Sequence, residues 1–321
     1  MGLRTALACP LVVLAFLASC GSSEGDSKFG DGSSGSSGTS GTSGTSGTSG
    51  TSGTSGFGTS GTSGASGTSG TSGGGGEVCD GIDNDGNGVI DDVDVGNDGV
   101  CDCLRIATIG APGKWGQGDV FAAWLNARSV KGAVALGATI LDRTLLDQYQ
   151  VIVAQDLSAV GRTYAPAEIT ALSEWVNAGG GLLTLIGYGD ATERTNVNAL
   201  LGSFGMSYGS TPILAKQGGS TIPIKGWVAH PVTNGVTMVG VDNGYTVDGN
   251  GTAIATEQGF TLLRAQEVGS GHALVWGDEW ITYDSEWSAH PEYQVTLFWL
   301  NMIKWLTPAK NCQVPIPPNV K

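Results

Sequence analysis

From Gly38 to Gly73 the chain repeats Thr-Ser-Gly almost without variation, and this stretch restricts the fold more than any other feature of its 321 residues. Between Gly32 and Gly76 there is no charged side chain and, apart from Phe57, almost nothing apolar. Such a composition cannot offset the entropy of its own ordering by burial. Residues 20–76 are therefore expected to be a disordered linker. A triplet period could also suggest a β-solenoid or a collagen-like helix, but the first needs apolar stacking positions and the second needs Pro. The repeat has neither. As a flexible Gly/Ser coil, the linker would have a root-mean-square reach of about 40 Å. The core must come from elsewhere. All 9 Trp lie between Trp115 and Trp305. Residues 104–310 suit one α/β domain of ordinary size, with a tail at 311–321.

Ahead of the linker, Arg4 supplies one positive charge and Ala6 to Ala18 forms an apolar run broken only by Pro10. The run is too short for a permanent bilayer helix and reads as an export signal over residues 1–19. It ends in Leu17-Ala18-Ser19-Cys20, which resembles the lipobox of bacterial lipoproteins. The resemblance implies that Cys20 is lipidated and becomes the first residue of a mature chain anchored to a bacterial membrane, at the cell-envelope surface. Two or more acyl chains there would make the attachment stable, since a single chain holds only marginally. No other segment reads as transmembrane.

An exported, anchored chain keeps four further thiols, Cys79, Cys101, Cys103 and Cys312. An even count in an oxidising compartment suggests two disulfides, and three pairings are possible. The favoured pairs are Cys79 with Cys101, which would close the intervening loop, and Cys103 with Cys312, which would tie the ends of the domain together. The net charge of -14, from 15 Lys and Arg against 29 Asp and Glu, repels phosphate backbones. Nucleic acid is not an expected partner.

The acidity is concentrated in residues 77–103, where nine carboxylates stand without a Lys or Arg. Within it, Asp83-Asn84-Asp85-Gly86-Asn87-Gly88-Val89-Ile90-Asp91-Asp92-Val93-Asp94 fits the twelve-residue EF-hand loop position by position. Hard oxygen ligands for Ca2+ would come from Asp83, Asp85, Asn87, the Val89 carbonyl, Asp91 and Asp94, with Gly88 at the sharp turn. Asp94 stands where Glu usually reaches in with both oxygens, which should weaken the site. Gly81 before the loop and Gly96 to Gly99 after it leave no flanking helices, so a calmodulin-like opening is not expected. The segment from Glu77 to Asp85 also resembles a metal-binding motif of bacterial secreted proteins, a short Cys- and Asp-rich module. Some members of that family are linked to copper, but carboxylate and carbonyl oxygens suit calcium better.

From Arg105 onward strands and helices alternate, which predicts a mostly parallel sheet with helices on both faces. Strands are expected at Arg105 to Ile109, Ala133 to Leu136, Val151 to Ala154 and Leu182 to Ile186. A helix capped by Asp119 should bury Val120, Phe121, Trp124 and Leu125. A second should start with Pro166 at N1 and stop at Gly179-Gly180-Gly181. A third falls around Val197 to Leu201, and the Gly- and Thr-rich region after it has no clear pattern. Leu262 to Val268 and His272 to Trp276 read as a hairpin, and Val295, Phe298, Met302 and Trp305 stripe a last helix.

Gly179-Gly180-Gly181-Leu182-Leu183-Thr184-Leu185-Ile186-Gly187-Tyr188-Gly189 resembles the helix, strand and elbow of the class I glutamine amidotransferase-like superfold. His230-Pro231-Val232-Thr233-Asn234-Gly235, Gly277-Asp278-Glu279-Trp280 and Asn301-Met302-Ile303-Lys304-Trp305-Leu306 resemble its ThuA-like and related branches. The resemblance covers about residues 104 to 308 and implies a flavodoxin-like fold. It also argues against the parent chemistry, because the elbow that would hold a Cys nucleophile is occupied by Ile186, Gly187 and Tyr188.

In such sheets ligands bind beyond the carboxyl ends of the strands. That rule groups Trp115, Asp156, Tyr188, Asp190, Asp278, Glu279 and Trp280 around one crevice. The resulting expectation is a surface-anchored, calcium-binding lipoprotein whose catalytically silent domain binds an extracellular ligand or protein. The alternative is an extracellular hydrolase of carbohydrate or a related substrate, with Asp278 or Glu279 and His230 as acid and base. The two readings differ over whether those three side chains meet at one point.

Overall fold

Short aliphatic and β-branched runs set the strands, and the helices between them carry their apolar residues at three- and four-residue spacing. The computed structural model describes residues 77–79, 82, 84–86, 91–94, 101–113, 117–130, 132–161, 163–187, 191–216 and 221–307. It forms β1 at Ile106–Gly110, α1 at Asp119–Ala127, β2 at Val134–Ala135, α2 at Arg143–Leu146, β3 at Val151–Gln155, α3 at Pro166–Asn177, β4 at Gly181–Leu185 and α4 at Ala191–Leu201. Then come β5 at Met206–Leu214, β6 at Ile222–Ile224, β7 at Gly226–Trp227, β8 at Val239–Val241 and β9 at Gly244–Gly249. The chain closes with β10 at Thr252–Glu257, β11 at Phe260–Val268, β12 at Gly271–Trp276, α5 at Asp284–Ala289 and α6 at Val295–Leu306.

Eight strands make one sheet in the order β2-β1-β3-β4-β12-β11-β10-β7. The first five are parallel to one another, and β11, β10 and β7 extend the sheet antiparallel. This is the mostly parallel α/β sheet that the alternation predicts, in the flavodoxin-like form that the resemblance implies. Each central strand divides its side chains between two cores, because successive residues point to opposite faces. Val151 and Val153 join Phe121, Leu125, Phe298, Trp299 and Ile303 beneath α1 and α6. Ile152 and Ala154 join Leu172, Trp175, Val197 and Leu200 beneath α3 and α4. The Gly- and Thr-rich region forms two small antiparallel ladders, β5 with β9 and β6 with β8.

The start of α1 differs from expectation. Asp119 is its first helical residue and makes no capping bond. The orphan amide of Val120 is taken instead by the Asp284 carboxylate, 164 residues away, at 2.9 Å. Val120 itself is exposed, while Phe121 and Leu125 are buried.

The disulfide pairing is corrected as well. Cys79 bonds to Cys103, with their Cα atoms 5.4 Å apart, and not to Cys101. Cys103 is buried where the chain enters the sheet, next to Leu104, which bridges Ser129. Cys101 is turned into the acidic segment, its Sγ 3.2 Å from the Asp91 carbonyl oxygen. Cys101 is also disulfide-bonded, so the pairs Cys79 with Cys101 and Cys103 with Cys312 do not form. Cys312 lies outside the described residues, as do the signal segment, Cys20 and the repeat. Among the described residues no helix is long and apolar enough to cross a membrane.

Candidate functional site

The carboxyl ends of β1, β3, β4 and β12 lie side by side, and each ends in a residue whose position is dictated by close approach. At Gly110, where φ is +82°, a Cβ would sit 2.1 Å from the Gln155 carbonyl oxygen, so only glycine lets the tips of β1 and β3 meet. β3 runs Val-Ile-Val-Ala-Gln, and its last residue is polar yet fully buried. Asp156 follows with φ +51° and ψ +54°, a left-handed conformation that turns its 7% exposed side chain at the strand tip. Beyond β4, a Cβ at Gly187 would meet the Glu279 carboxylate at 1.7 Å. The position after Ile186 in the elbow is therefore filled by an acid that arrives from beyond β12.

Among the described residues, the Glu279 carboxylate has side-chain partners only. Gln155 Nε2 donates to one of its oxygens at 3.0 Å, and the Tyr283 hydroxyl donates to the other. Burial raises its pKa, the Tyr283 and Gln155 bonds oppose that, and the charges of Asp156 and Glu193 add to it. Tyr283 is pushed upward by burial and then by the Glu279 charge. Glu193, in the first turn of α4, accepts the backbone N–H groups of Leu157 and Ser158 at 2.9 and 2.7 Å and so holds the turn after β3. Its pKa is raised chiefly by burial.

Asp278 has a different task. It is 1% exposed and accepts backbone N–H bonds from Asp242, Glu279 and Trp280, which pins the turn after β12 to the β8–β9 connection. Burial still raises its pKa well above the usual carboxylate range. Trp280 is buried in packing, its indole N–H donating to Ser285 Oγ at 3.0 Å and its ring against His290 and Tyr293. Of the crevice candidates, Asp156 and Glu279 thus stand at the strand tips, whereas Asp278 and Trp280 hold the turn after β12. Trp115, Tyr188 and Asp190 lie outside the described residues.

His230 does not join this group. It packs with His272 against Trp305, the ring centroids 5.1 and 4.3 Å from the indole. His272 pairs with Gly181 at the amino ends of β12 and β4, whereas Asp278 and Glu279 follow the carboxyl end of β12. The length of a strand separates the proposed acid and base, so no proton can pass directly between them.

The acidic segment is organised by Glu77. Its carboxylate accepts the backbone N–H groups of Asn84, Asp85 and Asp91 at 3.0 to 3.1 Å. Asp91 is buried with φ +57°. As a result, one oxygen each of Glu77, Asp85 and Asp92 lie within 4.8 Å of one another. Asp85 is the one EF-hand ligand in this group, Asp91 and Asp94 being outside it, and Asp83, Asn87 and Val89 lie outside the described residues.

Sequence reasoning did not single out Gln155, Glu193, Tyr283, Glu77 or Asp92 as site residues. Gln155 was detectable as the one polar residue closing an apolar strand, and Tyr283 as four residues beyond Glu279. For Glu193 and Glu77, whose partners are backbone amides, no local pattern gives a signal.

No protein-family model matches the chain, and no curated protein matches it in sequence. Among solved structures, a cytoplasmic protein from Salmonella typhimurium LT2 is 14% identical, matching 64% of this chain and 100% of its own at a TM-score of 0.48. A ThuA-like protein from Bacteroides uniformis is 13% identical over 66% of this chain and 95% of its own, with a TM-score of 0.44. A β-galactosidase from Bacillus circulans sp. alkalophilus matches 64% of this chain with 32% of its own, at 11% identity and a TM-score of 0.41. Likenesses at this level carry no functional argument, and the fold assignment rests on the strand order itself.

Proposed function

We propose that this chain is an exported lipoprotein, anchored to a bacterial membrane through Cys20, that binds Ca2+ in its acidic segment and presents a non-catalytic domain to an extracellular ligand or protein. The Thr-Ser-Gly linker is the tether between anchor and domain. The observation that carries the reading is the convergence of Glu77, Asp85 and Asp92. Oxygens on opposite sides of a calcium ion stand about 4.6 to 5.2 Å apart, twice the usual Ca–O distance. The three carboxylate oxygens fall within 4.8 Å of one another. All three are hard donors, and the fixed backbone contacts of Glu77 leave the group organised before a cation arrives. The binding role of the domain is supported by the separation of His230 from Asp278 and Glu279, and by an elbow with Ile186 and Gly187 in place of a nucleophile.

The test is a calorimetric calcium titration of the full-length protein and of an Asp85→Asn, Asp92→Asn variant, with thermal melting in parallel. Binding is expected in the parent and at least about tenfold weaker in the variant. Saturating calcium should raise the stability of the parent, by about 2.7 kcal/mol at a hundredfold excess over Kd. No heat at millimolar calcium, or equal binding by both proteins, would sink the calcium reading.

A further inference from the structure

A second concave surface lies at the amino ends of the strands, away from the carboxyl-end crevice. It is a cleft of about 770 Å³ lined by His230, Asn234, His272, Asn301, Lys304 and Trp305. Its volume falls in the range of small-molecule sites, about 300 to 1,000 Å³. The 3-10 turn at Pro231–Thr233, the start of β12 and the last turn of α6 supply these residues.

The chemistry of the lining is uncharged where it is concave. Burial lowers the pKa of both His230 and His272, against the pull of the Glu267 charge, so both imidazoles are neutral at pH 7. His230 Nδ1 accepts the Val232 N–H at 3.2 Å, which leaves its Nε2 as the protonated, donating nitrogen. His272 Nδ1 is buried and has no hydrogen-bond partner among the described residues. Asn301 Nδ2 donates to the Asn234 carbonyl, which leaves Asn301 Oδ1 as an acceptor. The charges of Glu267 and of the exposed Lys304 oppose one another, so neither an anion nor a cation is favoured. The partly exposed Trp305 supplies an aromatic platform beside the two imidazoles.

An occupant must therefore be neutral, offer an apolar face to an indole, and carry both donors and acceptors around its edge. A pyranose ring has these properties: its axial C–H face is apolar, and its hydroxyls both donate and accept. We propose that the cleft formed by Trp305, His230, His272 and Asn301 is a binding site for a neutral saccharide, with the ring on Trp305 and hydroxyls bonded to His230 Nε2 and Asn301 Oδ1. Such a site is distinct from the carboxyl-end crevice and requires no catalysis, and it is independent of the calcium reading.

The experiment is saturation-transfer NMR on the full-length protein with maltose, cellobiose and N,N′-diacetylchitobiose, followed by affinity measurement for whichever responds. At least one disaccharide should receive saturation at its ring protons. Trp305→Ala should weaken its binding about tenfold or more. Because Trp305 also packs on two side chains, Thr307→Trp, which fills the cleft from its rim, serves as a second variant and should also abolish binding. Glu279→Gln, at the other end of the sheet, should leave it unchanged. Absence of transfer to all three sugars overturns the proposal, as does binding that survives either cleft substitution or is lost in Glu279→Gln.

Discussion

Glu279 and Gly187 show how much one residue can depend on another 92 positions away. The absent Cβ at Gly187 is the space that the Glu279 carboxylate fills. Gly187→Ala is expected to destabilise the domain by about 1–3 kcal/mol, since overpacking forces the neighbouring group to move. The penalty should largely vanish in a Glu279→Ala background, which denaturant unfolding of the two single variants and the double variant would measure. Equal costs in both backgrounds would mean that the backbone, not the carboxylate, resists the methyl group. The cysteines permit a second check at this scale. Peptide mapping of the non-reduced protein should return Cys79 joined to Cys103. Recovery of a Cys79–Cys101 peptide would contradict the arrangement.

Among the elements, α3 illustrates a helix whose beginning was legible and whose anchoring was not. Pro166 at N1 and the glycines after Asn177 bound it as expected. Its N3 residue, Glu168, is only 6% exposed and does two things at once. One oxygen accepts the Ala165 N–H at 3.0 Å, completing the helix start, and the other accepts the Leu141 N–H at 2.9 Å, holding the segment ahead of α2. Glu168→Ala leaves both donors unpaired and is expected to cost about 1–3 kcal/mol per buried donor. A loss below about 0.5 kcal/mol in urea unfolding would show that water replaces the carboxylate. The same division applies to α1 and β12. Their apolar patterns announced them, but the bonds that fix their ends join distant parts of the chain, Asp284 to the Val120 amide at the start of α1 and Asp278, just after β12, to the Asp242 amide.

Taken as a whole, the molecule concentrates buried acids at the carboxyl ends of its central strands, and this gives its stability a pH dependence. Glu193, Asp278, Glu279 and Glu286 all have pKa values raised chiefly by burial. The folded state then holds protons that the unfolded state releases above the ordinary carboxylate values, so these groups favour folding at lower pH and oppose it as pH rises. His230 and His272 act in the opposite sense, with lowered values that cost stability only below their ordinary value of 6.5. Above pH 6.5 the carboxyls act without the histidines, so lowering the pH from the alkaline side should raise stability, by up to about 1.4 kcal/mol per pH unit for each proton taken up on folding. Calorimetric melting across that window, in calcium-free buffer, should show a rising Tm, with a smaller slope in Glu279→Gln; a falling Tm would mean that these acids are ionised in the folded state. By itself the sequence determined that residues 32–76 carry no charge and almost no apolar side chain, that the domain after them is α/β, and that acids crowd into one short segment. These are properties of composition and periodicity, which local chain chemistry carries. Only the tertiary structure decided that Cys79 pairs with Cys103, that His230 stands a strand's length from Glu279, and that Glu77 gathers the acidic segment. The separation of His230 from Glu279 depends on which end of a strand each occupies, which the parallel crossovers set; the other two depend on how an irregular segment folds back over 7 to 24 residues, where no periodic pattern records a contact.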